Sequence, residues 1–218
     1  MHRKEEMNIP TIIILNGPSG VGKSTLQKEF QKLMCNQVYL SIGIDGFFDQ
    51  LLPDVNCKGE HVVGGQLVRK ITFEQDEVGN VTIPLTVGPL GYVVVRGMHR
   101  AVAAYAREGN SIIVDYILYH PQWLSDLVYS LSEIDAHIYM VGVNAPLEVI
   151  EQRERSRGTS PVGHSRSHYQ VVHAGMLYDL ELDTSEYVAS DLALQLKKYI
   201  DTYRPVAFKS LLPAVRTT

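Results

Sequence analysis

One stretch near the start of the chain combines the residue types and the spacing needed to hold phosphate groups. It follows the pattern G-x-x-x-x-G-K-[ST], and its members are Gly17, Pro18, Ser19, Gly20, Val21, Gly22, Lys23, Ser24 and the following Thr25. Glycine lets the backbone adopt conformations that a Cβ would forbid, so successive N–H groups can point towards one anion. At a helix start these groups meet the positive end of the helix dipole. We expect Lys23 to reach the β- and γ-phosphates of a nucleotide, and the Ser24 hydroxyl to ligate Mg²⁺.

The residues on both sides of this stretch supply the structural context that a phosphate loop requires. The apolar, β-branched run at 11–15 is typical of a buried parallel strand. After the loop, Leu26, Phe30 and Leu33 recur at helical spacing, with charged residues between them. The sequence therefore predicts a strand, a phosphate-binding loop and a helix in immediate succession.

Two aspartates stand where predicted strands end. Phosphoryl transfer needs a group that orients or deprotonates the acceptor oxygen, and Asp45, directly after the strand predicted at 38–44, is our candidate for that role. Its alternative role is to cap the next helix. Asp115, at the end of the strand predicted at 111–115, has the position of a carboxylate that holds Mg²⁺ directly or through water. It could equally hydrogen-bond Ser24 or the substrate, and both interpretations stay open.

Arginines surround a polar segment in the second half of the chain, at positions Arg153, Arg155, Arg157 and Arg166. Arg153 and Arg157 are four residues apart and share one helix face if the helix extends that far. Residues 157–168 contain many Gly, Ser, Arg and His residues and are predicted to form a mobile loop. We interpret the loop as a lid that closes over ATP, with Arg153 and Arg157 joining Lys23 as catalytic cations. The alternative is a solvated face paired with nearby glutamates, which is our interpretation of Arg155.

Apolar runs alternate with helical patterns along the chain, which predicts an α/β fold with one parallel sheet and helices on both faces. The predicted strands lie at 11–15, 38–44, 111–115, 136–143 and 178–183. Helices are expected after the phosphate loop and at 46–52, 89–108, from 121 onwards, 146–155 and 186–201. A hairpin insertion is predicted at about 70–86, around Gly79-Asn80, after a loop at 54–65. The tail beyond Tyr203 is expected to be irregular or docked on the surface. Because ligands bind at the carboxyl ends of parallel strands, the loop, Asp45 and Asp115 should meet in one cleft.

The composition narrows the classes of protein to consider. The 218 residues fit one domain, and 45% hydrophobic with 20% charged residues is ordinary for a globular protein. A net charge of −4 gives no basic field for nucleic acid. Cys35 and Cys57 lack metal-ligand spacing, which favours a reduced, cytoplasmic setting. No apolar run approaches the roughly 20 residues that span a bilayer, and the polar residues 1–10 do not resemble a secretory signal. The expected partner is a small molecule, with no nucleic acid and no membrane, in a possible homo-oligomer.

The chain also resembles a known family, the chloramphenicol phosphotransferases, which belong to the nucleotide- and shikimate-kinase-like P-loop kinases. The resemblance runs from Ile12 to about Ile200. The segments that carry it are Ile14-Leu15-Asn16-Gly17, Gly43-Ile44-Asp45, the hairpin with Gly79-Asn80, Ile112-Ile113-Val114-Asp115, Val141-Gly142-Val143, Arg153-Glu154-Arg155-Ser156-Arg157-Gly158, and Val172-His173 followed by Tyr178-Asp179-Leu180-Glu181-Leu182-Asp183-Thr184.

This resemblance implies a three-layer α/β/α P-loop fold and ATP-dependent phosphorylation of a hydroxyl on chloramphenicol, an antibiotic-resistance activity. It implies ATP and Mg²⁺ as cofactors. In the family the aspartate matching Asp45 is the proposed base, and arginines matching Arg153 and Arg157 serve the lid.

Other functions remain to be separated from a small-molecule kinase of this type. The acceptor could be another hydroxylated metabolite or a nucleoside. A non-catalytic regulatory protein that binds nucleotides, such as a GTPase-like switch, is a second class, although the chain has neither an Asn-Lys-x-Asp run nor an Asp-x-x-Gly after its third strand. A toxin-type kinase acting on a macromolecule is a third class, which the acidic net charge does not favour.

Overall fold

The structure, a computed structural model, describes residues 9–49, 60–158 and 162–216. The start of the predicted lead-in (1–8), the end of the predicted helix at 46–52 and residues 54–59 of the predicted loop lie outside these ranges. The strands are β1 (Thr11–Asn16), β2 (Tyr39–Gly43), β3 (Glu60–Val63), β4 (Gln66–Ile71), β5 (Glu74–Gln75), β6 (Val81–Thr82), β7 (Leu85–Val87), β8 (Ser111–Tyr116), β9 (His137–Asn144) and β10 (Leu180–Asp183). Five of them form one parallel sheet in the order β10-β9-β1-β8-β2.

Helices cover this sheet on both faces. They are α1 (Lys23–Leu33), α2 (Ile44–Asp49), α3 (Pro89–Arg107), α4 (Pro121–Leu131), α5 (Leu147–Arg157), α6 (His164–His168), α7 (Ala189–Thr202) and α8 (Ala207–Arg216), with a short 3₁₀ turn at Val171–His173. Within the described residues, no helix has the length and apolar character to cross a membrane. The α/β architecture with a five-stranded parallel sheet, predicted from the sequence, is confirmed.

The central strand β1 shows why the sheet is buried on both sides. Its neighbours β8 and β9 align Ile112 and Ile138 with Ile12. Side chains alternate between the two faces of a strand, so Ile12 and Ile14 pack with α3, α4 and α8 while Ile13 and Leu15 pack with α1 and α7. A continuous apolar run satisfies both faces at once, and all four side chains are fully buried.

The insertion between α2 and α3 is larger than the predicted hairpin at 70–86, because its strands extend from β3 to β7. The predicted turn at Gly79-Asn80 joins β5 and β6, which pair Glu74 with Thr82. The Asp76 carboxylate closes this turn by accepting the backbone N–H groups of Val78 and Asn80. Strand β4, however, pairs with β3 and β7 rather than with the strand after the turn. Alternation along the sequence identified strands here but not their partners.

Of the two alternatives predicted for the tail, docking is confirmed and irregular structure is not, because α8 follows Tyr203 and packs on the sheet. The Asp179 carboxylate holds the start of α8 by accepting the N–H groups of Val206 at 2.7 Å and Ala207 at 2.9 Å. Phe208 and Leu211 then join the buried cluster beneath α4. The capping carboxylate lies 27 residues before the helix, so local capping signals could not reveal it.

Candidate functional site

The phosphate loop connects β1 to α1, and its glycines are required by its backbone. Gly22 has φ of 109°, in the left-handed region that side chains rarely adopt. A Cβ at Gly17 would lie 2.3 Å from the carbonyl oxygen of Val143 in β9. The loop therefore passes over the end of β9 in a path that only glycine allows at these two positions.

Lys23 folds back over the loop that it terminates. Its side chain is only 4% exposed, and Nζ donates to the carbonyl oxygens of Gly17 at 2.8 Å and Pro18 at 2.9 Å. Nζ also lies 3.7 Å from Oδ1 of Asp115. Burial lowers the pKa of Lys23, whereas the charges of Asp115 and Asp45 raise it. The lysine and both predicted aspartates are thus electrostatic neighbours at one edge of the sheet.

Ser24 and Asp115 meet across the gap between α1 and β8. The Ser24 hydroxyl donates to Oδ2 of Asp115 at 2.5 Å. This contact is the hydrogen bond that the sequence left open as one of two roles for Asp115. Mg²⁺ prefers oxygen ligands, including hydroxyl and carboxylate oxygens, so Ser24 and Asp115 are chemically suited to bind it. Among the residues that the structure describes, no cluster of three His, Cys, Asp or Glu side chains could hold a metal ion.

Asp45 lies at the same edge, one strand further out. β2 pairs with β8 so that Gly43 is opposite Asp115, and Asp45 follows two residues later in the first turn of α2. It is the second residue of that helix, not the residue before it, so it does not occupy the N-cap position. Burial raises the pKa of Tyr119, and the charge of Asp45 raises it further while Arg69 lowers it. Asp45 and Arg69 are therefore both close enough to Tyr119 for their charges to act on its hydroxyl.

The two predicted lid arginines are in different environments. The half-buried guanidinium of Arg153 donates to Val21 O at 3.2 Å, to Thr184 Oγ1 at 2.8 Å and to Thr184 O at 2.7 Å. Thr184 itself donates to Val21 O at 2.6 Å, so Arg153 and Thr184 hold the loop to the end of β10. Arg157 is exposed, and its charge lowers the pKa of Lys23. Arg155 is also exposed, as the solvated interpretation expects.

The predicted mobile loop at 157–168 contains a helix in its second half, and residues 159–161 lie outside the described ranges. Helix α6 is held by Glu154, whose buried carboxylate accepts Gly163 N at 2.7 Å, Ser165 N at 2.9 Å and Ser165 Oγ at 2.8 Å. In the sequence, Glu154 was only one of the glutamates that could pair with the arginines if these lie on a solvated face. No local pattern marks it, because its partners follow nine and eleven residues later and meet it only after the chain turns back.

Two further residues of the site carried no sequence signal. His168 Nε2 accepts the backbone N–H of Ser19 at 3.0 Å, which joins α6 to the phosphate loop. Asn16, the last residue of β1, donates to Val172 O and Tyr178 Oη, both at 2.7 Å, and accepts Leu118 N at 3.0 Å. In the sequence, His168 was visible only as the last residue of the polar segment 157–168.

A cleft of about 730 Å³ opens beside the loop on the side opposite Asp45. The residues that line it include Gly20, Gly22, Thr25, Arg153, Arg157, Tyr187, Val188 and Leu192. Its floor is the loop backbone and the first turn of α1, and its wall is the segment between β10 and α7. A group that continues from phosphates on the loop can enter this cleft, between the arginines and the apolar side chains.

Comparison with known proteins places this geometry among phosphotransferases. Residues 10–201 match the profile of the family described as chloramphenicol phosphotransferase-like protein. A Mycobacterium tuberculosis protein whose name provisionally describes it as an O-phosphotransferase is 30% identical over 205 residues, covering 92% of this chain and 87% of the relative.

Solved structures share the fold at low sequence identity. The M. tuberculosis APS kinase in complex with AMPPNP and APS superposes with a TM-score of 0.58 at 12% identity, covering 89% of this chain and 99% of that one. The tunicamycin resistance protein of Deinococcus radiodurans gives a TM-score of 0.55 at 17% identity, covering 90% of this chain and 99% of that one.

Proposed function

The chain belongs to the chloramphenicol phosphotransferase-like family, and we propose that it transfers the γ-phosphoryl group of ATP to a hydroxyl of a small molecule. Its family makes it a kinase-type phosphotransferase. The observation that carries the proposal is the convergence of Lys23, Asp115 and Asp45 at one edge of the sheet, where two carboxylates act on one buried lysine. A loop that only bound phosphate would not need Asp45, a second carboxylate, on the side where we propose that the acceptor enters.

The nucleotide is proposed to lie along the loop with its phosphates at the start of α1. The backbone N–H groups there and the Lys23 ammonium would neutralise phosphate charge. The nucleoside would extend into the cleft beside Tyr187 and Val188, whose exposed apolar surfaces suit a purine ring. To bind a phosphate, Lys23 Nζ has to exchange its carbonyl contacts with Gly17 and Pro18 for phosphate oxygens.

Ser24 and Asp115 are proposed to hold Mg²⁺, Ser24 through its hydroxyl and Asp115 directly or through water. A divalent ion held by these two residues would supply positive charge to offset the negative charge that develops on the leaving group. The hydrogen bond between Ser24 and Asp115 keeps both oxygen donors at the edge where the phosphates are proposed to lie.

Asp45 is proposed to accept the proton of the substrate hydroxyl as its oxygen bonds to the γ-phosphorus. The bond between that phosphorus and the β–γ bridging oxygen breaks, so ADP leaves and the phosphate ester remains on the acceptor. Arg157 is proposed to supply positive charge from the cleft side. Arg153, which already bonds Val21 and Thr184, is proposed to contribute mainly by holding the loop that contacts the phosphates.

Chloramphenicol is the first acceptor to test, because the family is described by that substrate. The acceptor would enter on the insertion side, where Tyr119 and Arg69 lie near Asp45. Other hydroxylated antibiotics, nucleosides and sugars complete the panel. Mass spectrometry of the acceptor, together with ATP consumption, distinguishes phosphorylation from hydrolysis. ATP binding without turnover on any acceptor would instead favour a regulatory nucleotide-binding protein.

The variant Asp45→Asn tests the proposed base directly. It keeps the size of the side chain but cannot take the proton, so transfer should fall by about 10²–10⁴-fold while the affinity for ATP changes little. Asp135→Asn, at an exposed position near the opposite end of β9, is the matched control and should keep full activity. Undiminished transfer by the Asp45 variant would remove this residue from the mechanism.

A further inference from the structure

The backbone of Ser19, in the middle of the phosphate loop, contacts two side chains of α6. His168 Nε2 accepts the Ser19 N–H at 3.0 Å, and the Ser165 hydroxyl, which donates its proton to Glu154 Oε1 at 2.8 Å, lies 3.0 Å from the Ser19 carbonyl oxygen. The two contacts involve the peptide groups on either side of the Ser19 Cα. The conformation of Ser19 is therefore coupled to the position of α6.

Helix α6 is itself anchored to the insertion, on the side away from the loop. The backbone carbonyl oxygen of Ile83, just after β6, lies 2.9 Å from the Ser167 hydroxyl and 3.0 Å from His164 Nδ1. Ile83 N donates to Gly163 O at 3.2 Å, which adds a backbone contact at the start of the helix. A continuous set of contacts thus joins the insertion, α6 and the loop.

The chemistry of His168 suits an acceptor of a hydrogen bond. The side chain is 4% exposed, and the Tyr119 ring packs against it edge to face with 4.8 Å between ring centroids. Burial, with smaller effects from His164 and Lys23, lowers the pKa of His168 well below its usual range. The Ser19 amide can only donate, so Nε2 carries the free lone pair and the ring proton of the neutral imidazole lies on Nδ1.

We propose that His168 is a positioning residue that holds the phosphate loop in its nucleotide-binding conformation by accepting a hydrogen bond from the Ser19 amide. The role in nucleotide binding rests on the proposed function, whereas the contact with Ser19 does not. His168 acts through the loop and does not touch the reacting atoms.

Three substitutions of His168 test this role, because they differ in whether a side-chain acceptor atom can reach the Ser19 amide. In His168→Gln the side-chain oxygen can occupy the position of Nε2, so the bond to Ser19 is retained. His168→Asn carries its oxygen at the position of Nδ1, too short to reach, and His168→Leu has no acceptor. His137→Gln, at the opposite edge of the sheet, is the matched control.

Hydrogen exchange of peptides covering residues 17–24 should be faster in the Leu and Asn variants and close to wild type in the Gln variant. Titration with AMPPNP should show an affinity about three- to ten-fold weaker for Leu and Asn, the loss expected for one hydrogen bond. If turnover is established, the KM for ATP should rise by a similar factor with kcat nearly unchanged.

Unchanged exchange in both the Leu and Asn variants would overturn the proposal. So would equal losses in Gln, Asn and Leu, because that pattern reflects packing rather than the bond. If the Leu variant does not fold, the comparison of Gln with Asn decides the question. If AMPPNP binds normally to every variant although exchange is faster, His168 orders the loop without affecting the nucleotide, and the proposed role in binding fails. Absence of kinase activity in the wild type would refute the proposed function and leave the exchange result standing.

Discussion

Replacing Glu154 by glutamine should release α6 from α5, although the side chain keeps its size. The wild-type carboxylate is 3% exposed and accepts three hydrogen bonds, one on Oε2 from Gly163 N and two on Oε1 from Ser165. A glutamine has only one oxygen acceptor, so its NH₂ group must face donors at one of the two positions. If the oxygen faces Ser165, the NH₂ group opposes the Gly163 N–H, whose present bond is 2.7 Å long.

The size of the effect follows from these contacts. A hydrogen bond to a charged group contributes about 1.5–3 kcal/mol, and a buried donor left without an acceptor costs about 1–3 kcal/mol. Losing the bond to Gly163 and weakening the two bonds to Ser165 should therefore destabilise the attachment of α6 by about 3–5 kcal/mol. If α6 stays docked until the domain unfolds, Tm should fall by roughly 6–20 °C, since 1 kcal/mol shifts Tm by about 2–4 °C in a domain of this size.

Thermal unfolding and hydrogen exchange together measure this effect. Exchange of peptides covering 162–168 should increase in the variant even if α6 detaches before the domain unfolds and Tm changes little. Glu148→Gln, at an exposed position on the same helix, is the control and should stay within about 0.5 kcal/mol of wild type. Wild-type Tm together with wild-type exchange over 162–168 would refute the idea that Glu154 anchors the helix.

Two further predictions concern the core. His99 is buried, with Nδ1 2.7 Å from Asp126 and Nε2 2.9 Å from the Tyr116 hydroxyl, and burial lowers its pKa despite Asp126. The unfolded chain therefore binds a proton that the folded chain does not, so stability should fall as the pH drops through about 6.5, the usual pKa of histidine. Urea unfolding at pH 7.5 and 5.5 tests this, and His99→Gln should reduce the pH dependence; an equal dependence in the variant would contradict it. Phe208→Ala should cost about 3–5 kcal/mol, because this buried side chain attaches α8 to the core. A loss below about 1 kcal/mol in urea unfolding would mean that α8 contributes little to stability.

Elements with strong local periodicity were predictable from the sequence. β1, β8 and β9 are apolar runs buried on both faces, and α3 begins at Pro89 as its pattern indicated. The apolar pattern of each of these elements favours burial whichever elements pack against it. Each element could therefore be predicted from its own residues. Because the carboxyl ends of parallel strands share one edge, the neighbourhood of Lys23, Asp45 and Asp115 also followed from strand order.

Features built from residues distant in sequence were not predictable. Asp179 caps α8 from 27 residues away, and β4 pairs with β7 instead of the strand after the predicted turn. The glutamate that anchors α6 looked like an ordinary charged residue of a polar helix. Each of these contacts joins residues that are far apart in the sequence, so the pattern of a single segment cannot indicate it.

The sequence by itself determined the phosphate loop, because the pattern of its glycines, Lys23 and Ser24 lies within consecutive residues and can be recognised without knowing the fold. It also determined the parallel sheet and hence the edge where the aspartates gather. Only the tertiary structure decided which side chains hold the loop in place. Arg153, Thr184, Ser165 and His168 reach the loop from elements 130 to 165 residues later in the chain. A hydrogen bond requires its partners within about 3 Å, and only the packed fold brings residues so distant in sequence that close.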